Sequence, residues 1–174
     1  RAYNNIGYVK IHKGELDDAK EALEKANGIK EGNAKVLNNL GVIELKNGNV
    51  EEAKEYFLDA TDAGKQVEYN LGIISIMEGD YEAAVSYLQS YRSFNTALAM
   101  LLGGKADDAN KMIDGLEEDH AMNHYLKAII ASRNNNEAEV FDNLRKAIEK
   151  DAELKETAKT DMEFVQYLEN ATFK

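Results

Sequence analysis

Few residues in this chain have the type and spacing to do chemistry. His120 and His124 stand four apart, so one face of a helix could present both imidazoles to a metal ion. A zinc hydrolase with that spacing needs a glutamate directly after the first histidine, and Ala121 stands there instead. The two histidines therefore read as a surface or interfacial pair. Gly103-Gly104-Lys105 resembles the end of a phosphate-binding loop, but no earlier glycine and no following Ser or Thr completes it, so it reads as a turn. Cysteine is absent, which excludes disulfides and thiolate metal sites, and no histidine is spaced with an acid and a nucleophile. The expectation is a chain with no catalytic residue, no metal and no cofactor: not an enzyme. What remains is a column of amides, Asn5, Asn39, Asn70 and Asn95. An amide that both donates and accepts can pair with the backbone of an extended peptide whatever its sequence. It can equally bond between the helices of its own chain.

A repeat places those asparagines. Each precedes by two positions a small residue that opens a recurring pattern: a second small residue seven on, alanine five after that, then an apolar residue and another small one. The pattern reads Gly7, Gly14, Ala19, Leu23, Ala26, then Gly41, Gly48, Ala53, Phe57, Ala60, then Gly72, Gly79, Ala84, Leu88. Two looser copies follow, Ala97, Gly104, Ala109, Ile113, Leu116 and Ala128, Asn135, Val140, Leu144, Ala147. The steps from Gly7 through Gly41, Gly72 and Ala97 to Ala128 are 34, 31, 25 and 31 residues, and the Ala19 column repeats them. Insertions and deletions thus fall between units, and a period near 34 residues signals a helical solenoid.

Elementary helix chemistry accounts for the pattern. Tyr3, Ile6, Gly7 and Ile11 make an i, i+3, i+4, i+8 stripe, and Leu37, Leu40, Gly41 and Leu45 repeat it. A glycine inside a helix costs about 1 kcal/mol relative to alanine. At Gly7, Gly41 and Gly72 that cost makes sense where a partner helix comes too close for a Cβ. Gly14, Gly48 and Gly79 fall at the ends of first helices, in the left-handed position that glycine fills without strain. Asn49 and Asp80 follow as N-caps of second helices. Ala19, Ala53, Ala84 and Ala109 give the second helix a flat contact face. The 25-residue step truncates a helix around residues Gln89 to Ser93, where a local change of curvature is expected.

Composition agrees with such an array. Average usage of about 5% would give roughly nine prolines, and the chain of 174 residues has none. The formal net charge of −11 argues against nucleic acid or an anionic membrane as a general surface partner. No apolar run is long enough to insert in a membrane. The chain opens at Arg1, already close to a helical pattern, which suggests that it starts partway through a longer protein.

These residues resemble the tetratricopeptide repeat, whose pattern runs from an aromatic through Leu-Gly to Ala-x3-Phe and a second alanine. Asn-Ile-Gly at 5–7 and Asn-Leu-Gly at 39–41 and 70–72 carry the likeness most clearly. The proline that usually closes each unit is missing. The resemblance implies an all-α, right-handed superhelix of about five helical hairpins over residues 1–152, with units near 1–33, 34–64, 65–91, 92–120 and 121–152. Residues 153–174 break the pattern and look like the end-of-array cap of many bacterial repeat proteins. There, Thr160-Asp161-Met162-Glu163 reads as a capping box opening a short helix with Phe164, Val165 and Leu168 on one side.

In this family the first helix of each unit lines a concave groove, which points to a protein or peptide partner. The groove positions of units one and two are polar, with Asn4, Asn38, His12 and Lys46, beside Tyr8 and Val42. Those of units three and four turn apolar, with Tyr69, Ile73, Met77, Phe94, Leu98 and Leu102. Such a stripe is either an anchor for a partner segment or core of this chain. The family's clamp for a chaperone C-terminus is missing, since Asn4, Gln66 and Asn70 stand where cations are wanted. Acids cluster at the starts of second helices, where carboxylates stabilise the helix N-terminus on a solvated face. The expected function is a protein-interaction scaffold that binds a partner segment in its groove. The competing expectation is a structural spacer or assembly arm of a larger bacterial envelope protein. Self-association into a homo-oligomer stays open, as do the bacterial periplasm, the outer membrane surface and the cytoplasm.

Overall fold

The computed structural model describes residues 1–169, and residues 170–174 of the expected terminal segment lie outside the described residues. All regular structure among the described residues is helical, in antiparallel hairpins followed by terminal helices. The chain divides between Leu88 and Gln89 into two compact units.

The first unit holds three hairpins: α1 (Ala2–Lys13) with α2 (Leu16–Ile29), α3 (Ala34–Lys46) with α4 (Val50–Asp59), and α5 (Lys65–Glu78) with α6 (Tyr81–Leu88). A short 3₁₀ turn, Thr61–Ala63, joins α4 to α5. Within each hairpin the first-helix glycine admits a large side chain of the second. A methyl group at Gly7 would sit 2.5 Å from Leu23 Cγ, one at Gly41 2.7 Å from Phe57 Cε1, and one at Gly72 2.5 Å from Leu88 Cγ. All three partners are fully buried. The hairpins then stack, α2 on α3 and α4 on α5. Ala19, Leu23 and Ala26 share one core cluster with Val36, Leu40 and Ile43, while Ala53, Phe57 and Ala60 share another with Val67, Leu71 and Ile74.

The second unit holds α7 (Phe94–Leu102) with α8 (Ala106–Asp114), α9 (Ala121–Arg133) with α10 (Glu137–Lys150), then α11 (Leu154–Thr160) and a 3₁₀ helix, Met162–Tyr167. Ser93 opens α7, its hydroxyl accepting from the Thr96 amide. The first helices of four hairpins turn into their partners through left-handed glycines such as Gly14. In the last hairpin Asn135 takes that place at φ 55°, the one non-glycine residue with positive φ among those described.

The chain after α10 packs back on its own unit. Leu154, Ala158 and Phe164 enter the cluster formed by Tyr125, Val140, Leu144 and Ala147. Polar bonds fix the register: Tyr125 donates its hydroxyl to Asp161 at 2.8 Å, and Arg133 donates from Nη2 to Glu163 at 2.6 Å. Two local expectations fail here. The cap of the 3₁₀ helix is Asp161, which accepts from the Glu163 amide, while Thr160 belongs to α11. Val165 is exposed and Tyr167 is buried in its stead, because the tighter 3₁₀ winding turns different residues inward. A third concerns Asn49, which precedes α4 but makes no side-chain cap; its amide donates to Glu44 at 2.8 Å. Asp80 does cap α6, accepting from the Ala83 amide at 3.0 Å.

Candidate functional site

In the first unit the first helices α1, α3 and α5 bring their repeat-matched positions to one groove of about 380 Å³. Tyr8 and Val42, each one residue after the helical glycine, form its apolar part with the buried Ile11. His12 and Lys46, four residues further on, supply its basic groups, and no carboxylate lines it. Tyr8 and His12 meet edge to face with ring centres 4.5 Å apart. Asn38, Asn39, Gln66 and Asn70 complete the lining with amides.

The amides are ordered by one another. Asn39 donates from Nδ2 to Asn4 Oδ1 at 3.0 Å, and Asn70 donates from Nδ2 to Asn38 Oδ1 at 3.0 Å. Each bond runs from one first helix to the preceding one, in the same stagger. It uses one of the two donors of an amide and leaves its acceptor in the groove wall. Two members of the asparagine column, Asn39 and Asn70, thus serve bonds between helices. The partner column in that bond, Asn4 and Asn38, was expected from the sequence as polar groove positions and not as acceptors for the next helix. The doubled asparagines at 4–5 and 38–39 were its signal.

The other expected groove residues are dispersed. Asn5 is exposed on α1, in a separate pocket with Tyr3, Asn33 and Val36. Tyr69 and Ile73 are half-buried on α5, and Met77 on the same helix is 57% exposed. Phe94, Asn95 and Leu98 lie half-buried on α7 in the second unit. There Phe94 and Leu98 pack against the cluster of Ala97, Leu101, Ala109, Ile113, Leu126 and Ile130. The apolar positions are thereby divided between the two units, and the pair on α7 contributes to core.

In a separate pocket with Tyr56, Glu44 is buried on α3 and bonded to Lys20 Nζ at 2.7 Å and to Asn49. The Lys20 ammonium, then the Asn49 amide, hold its carboxyl below the ordinary range. His120 stands at the N-terminus of α9 with Nε2 against Glu118, whereas His124 turns Nε2 to Asp119, both at 2.6 Å. The two imidazoles thus engage different carboxylates. Gly103-Gly104-Lys105 is the turn from α7 to α8. Among the described residues no group of three or more His, Cys, Asp or Glu could hold a metal ion, and no helix is long and apolar enough to cross a membrane.

The hairpins of the first unit coincide with a match to a known repeat family. Residues 10–72 match the tetratricopeptide repeat. Residues 10–72 thus carry the tetratricopeptide repeat. Solved structures of such repeat proteins share the fold. YrrB, a TPR protein with an unusual peptide-binding site, is 23% identical with a TM-score of 0.68, over 86% of this chain and 85% of its own. PilW, a type IV pilus biogenesis factor, is 22% identical with a TM-score of 0.67, over 96% of this chain and 81% of its own. MamA is 21% identical with a TM-score of 0.67, over 92% and 94%. No curated protein sequence matches this chain.

Proposed function

We propose that this chain is a protein-interaction scaffold whose first unit binds an extended segment of a partner protein in the groove between α1, α3 and α5. The observation that carries the reading is the groove itself. Three successive first helices present amides, three apolar side chains and two basic ones to a single concavity, and helix-to-helix bonds hold the asparagines in place. Pre-ordered amides lose little freedom when a peptide backbone pairs with them, which favours capture of extended chain. The family is generally a non-catalytic interaction fold, and the similar YrrB carries a peptide-binding site. The apolar residues Tyr69, Ile73 and Met77 on α5 offer a second contact line, whereas Phe94 and Leu98 act first as core of the second unit.

Selection of binders from a random peptide library against the whole chain tests this. Tyr8→Ala with Lys46→Ala removes groove contacts at exposed positions, so the melting temperature should hold while affinity falls about tenfold or more. Selected peptides that bind both proteins equally would place the interaction elsewhere.

A further inference from the structure

The groove of α1, α3 and α5 has a charge of its own. The chain carries a formal net charge of −11, yet no carboxylate lines this concavity and its ionisable side groups include His12 and Lys46. Among the described residues no carboxylate pairs with Lys46, whereas Lys10, Lys20 and Lys54 of the same unit are bonded to Glu15, Glu44 and Glu78. Glu44 and Lys46 lie roughly 200° apart around α3. On the Glu44 side a pocket gathers Glu52, Glu55 and Asp59 against the single ammonium of Lys20. The helix thus separates an acidic surface from a basic one.

Position says where an acid belongs. His12 and Lys46 stand five residues after Gly7 and Gly41, in the last turns of α1 and α3, and both are exposed. Asn38, Asn39, Asn70 and Ile11 are buried, so amides and an apolar side chain make the floor and the basic groups make the rim. Tyr8 and Val42 lie one helical turn before them. We infer, on the reading that this groove is the binding site, that the segment it takes is acidic. An internal Asp or Glu side chain lies over His12 and Lys46, with an apolar residue beside it on Tyr8 and Val42. A main-chain carboxylate would need cations gathered in the floor among the amides, and none lines it. The acids elsewhere on the molecule do not oppose this, because exposed charges beyond about 8 Å are screened at physiological salt. A rim cation acts chiefly on partner choice and association rate.

Random peptides displayed without a free C-terminus and selected on the whole chain should be enriched in Asp and Glu. Lys46→Glu reverses the charge at an exposed position, so synthetic copies of those peptides should bind it about tenfold more weakly, with little change in melting temperature. Added salt should weaken their binding to the wild type and act much less on His12→Gln with Lys46→Gln. Copies with an amidated C-terminus should bind as well as free ones. Copies that bind only with a free C-terminal carboxylate overturn the internal placement. Selected peptides that weaken with Tyr8→Ala, yet show no acidic enrichment and tolerate Lys46→Glu, overturn the acidic partner and leave the groove as the binding site. Peptides indifferent to Tyr8→Ala and Lys46→Glu alike defeat the groove reading itself.

Discussion

Asn70 donates its amide to Asn38 across the groove wall at 3.0 Å, with both residues buried. The same bond links Asn39 to Asn4 one hairpin earlier. Two adjacent columns thus make a ladder in the first unit that ties α3 to α1 and α5 to α3. Any role of these amides in binding is added to that structural one.

Replacing Asn70 by alanine leaves the Asn38 oxygen without its donor in a buried setting, which costs about 1–3 kcal/mol. Replacing Asn38 as well removes the stranded group, so the double variant should lose less than the two single losses combined, by on the order of 1 kcal/mol. Urea unfolding of the four proteins measures this. Strict additivity would mean that the two amides do not act together. It follows that peptide capture is better probed at Tyr8 and Lys46, whose removal leaves the ladder intact.

Gly41 and Gly28 should respond to alanine in opposite directions. A methyl group at Gly41 meets the Phe57 ring at 2.7 Å, and Phe57 has no exposed surface into which to retreat. Overpacking costs about 1–3 kcal/mol, which outweighs the helix-propensity gain of about 1 kcal/mol. Gly28, on the exposed side of α2, has nothing within 4 Å of such a methyl. Gly28→Ala should therefore stabilise, by up to about 1 kcal/mol. Equal shifts in the two thermal midpoints would refute the close-approach account.

How much of this was legible depends on which scale decided it. Glycines at a fixed spacing announce hairpins because close approach and left-handed turns each admit few residues. Gly7, Gly41, Gly72 and the turn at Gly14 could be placed without coordinates for that reason. Even the loose fifth copy kept the rule, with Asn135 tolerating the left-handed conformation. Partner choice among polar side chains was not legible, because it depends on stagger between helices. Asn49 turned to Glu44 instead of capping its helix, and Asn39 met Asn4 across hairpins. Nor could period alone show that Phe94 and Leu98 pack on the core of their own unit. An apolar residue at a groove offset has the same spacing whether or not a neighbour covers it.

Glu44 should make the first unit acid-sensitive in a way that one substitution exposes. Its carboxyl is held below the ordinary value of 4.5, first by the Lys20 bond and then by the Asn49 bond. A depressed folded-state value contributes stability that is fully present above the unfolded value and disappears as pH falls through the folded one. Glu44→Gln keeps the shape without the charge. The stability gap between wild type and variant should be largest near neutral pH and close as the pH falls below 4.5. A gap that stays constant through that range would assign the effect to packing.

Phe164 should hold the second unit together at its far end. It is fully buried, meets Tyr125 edge to face with ring centres 5.5 Å apart, and covers the Val140–Leu144 side of α10. Phe164→Ala should cost about 3–5 kcal/mol, the range for a buried aromatic truncated to alanine. Val165, one residue on and 49% exposed, should tolerate alanine with a change within about 0.5 kcal/mol. Hydrogen exchange resolved along the chain separates local from general loss. Protection should fall in α9, α10 and α11 and persist in α1 to α6, since Phe164 belongs to a cluster confined to the second unit. Loss spread evenly over both units would show instead that the two fold as one cooperative body.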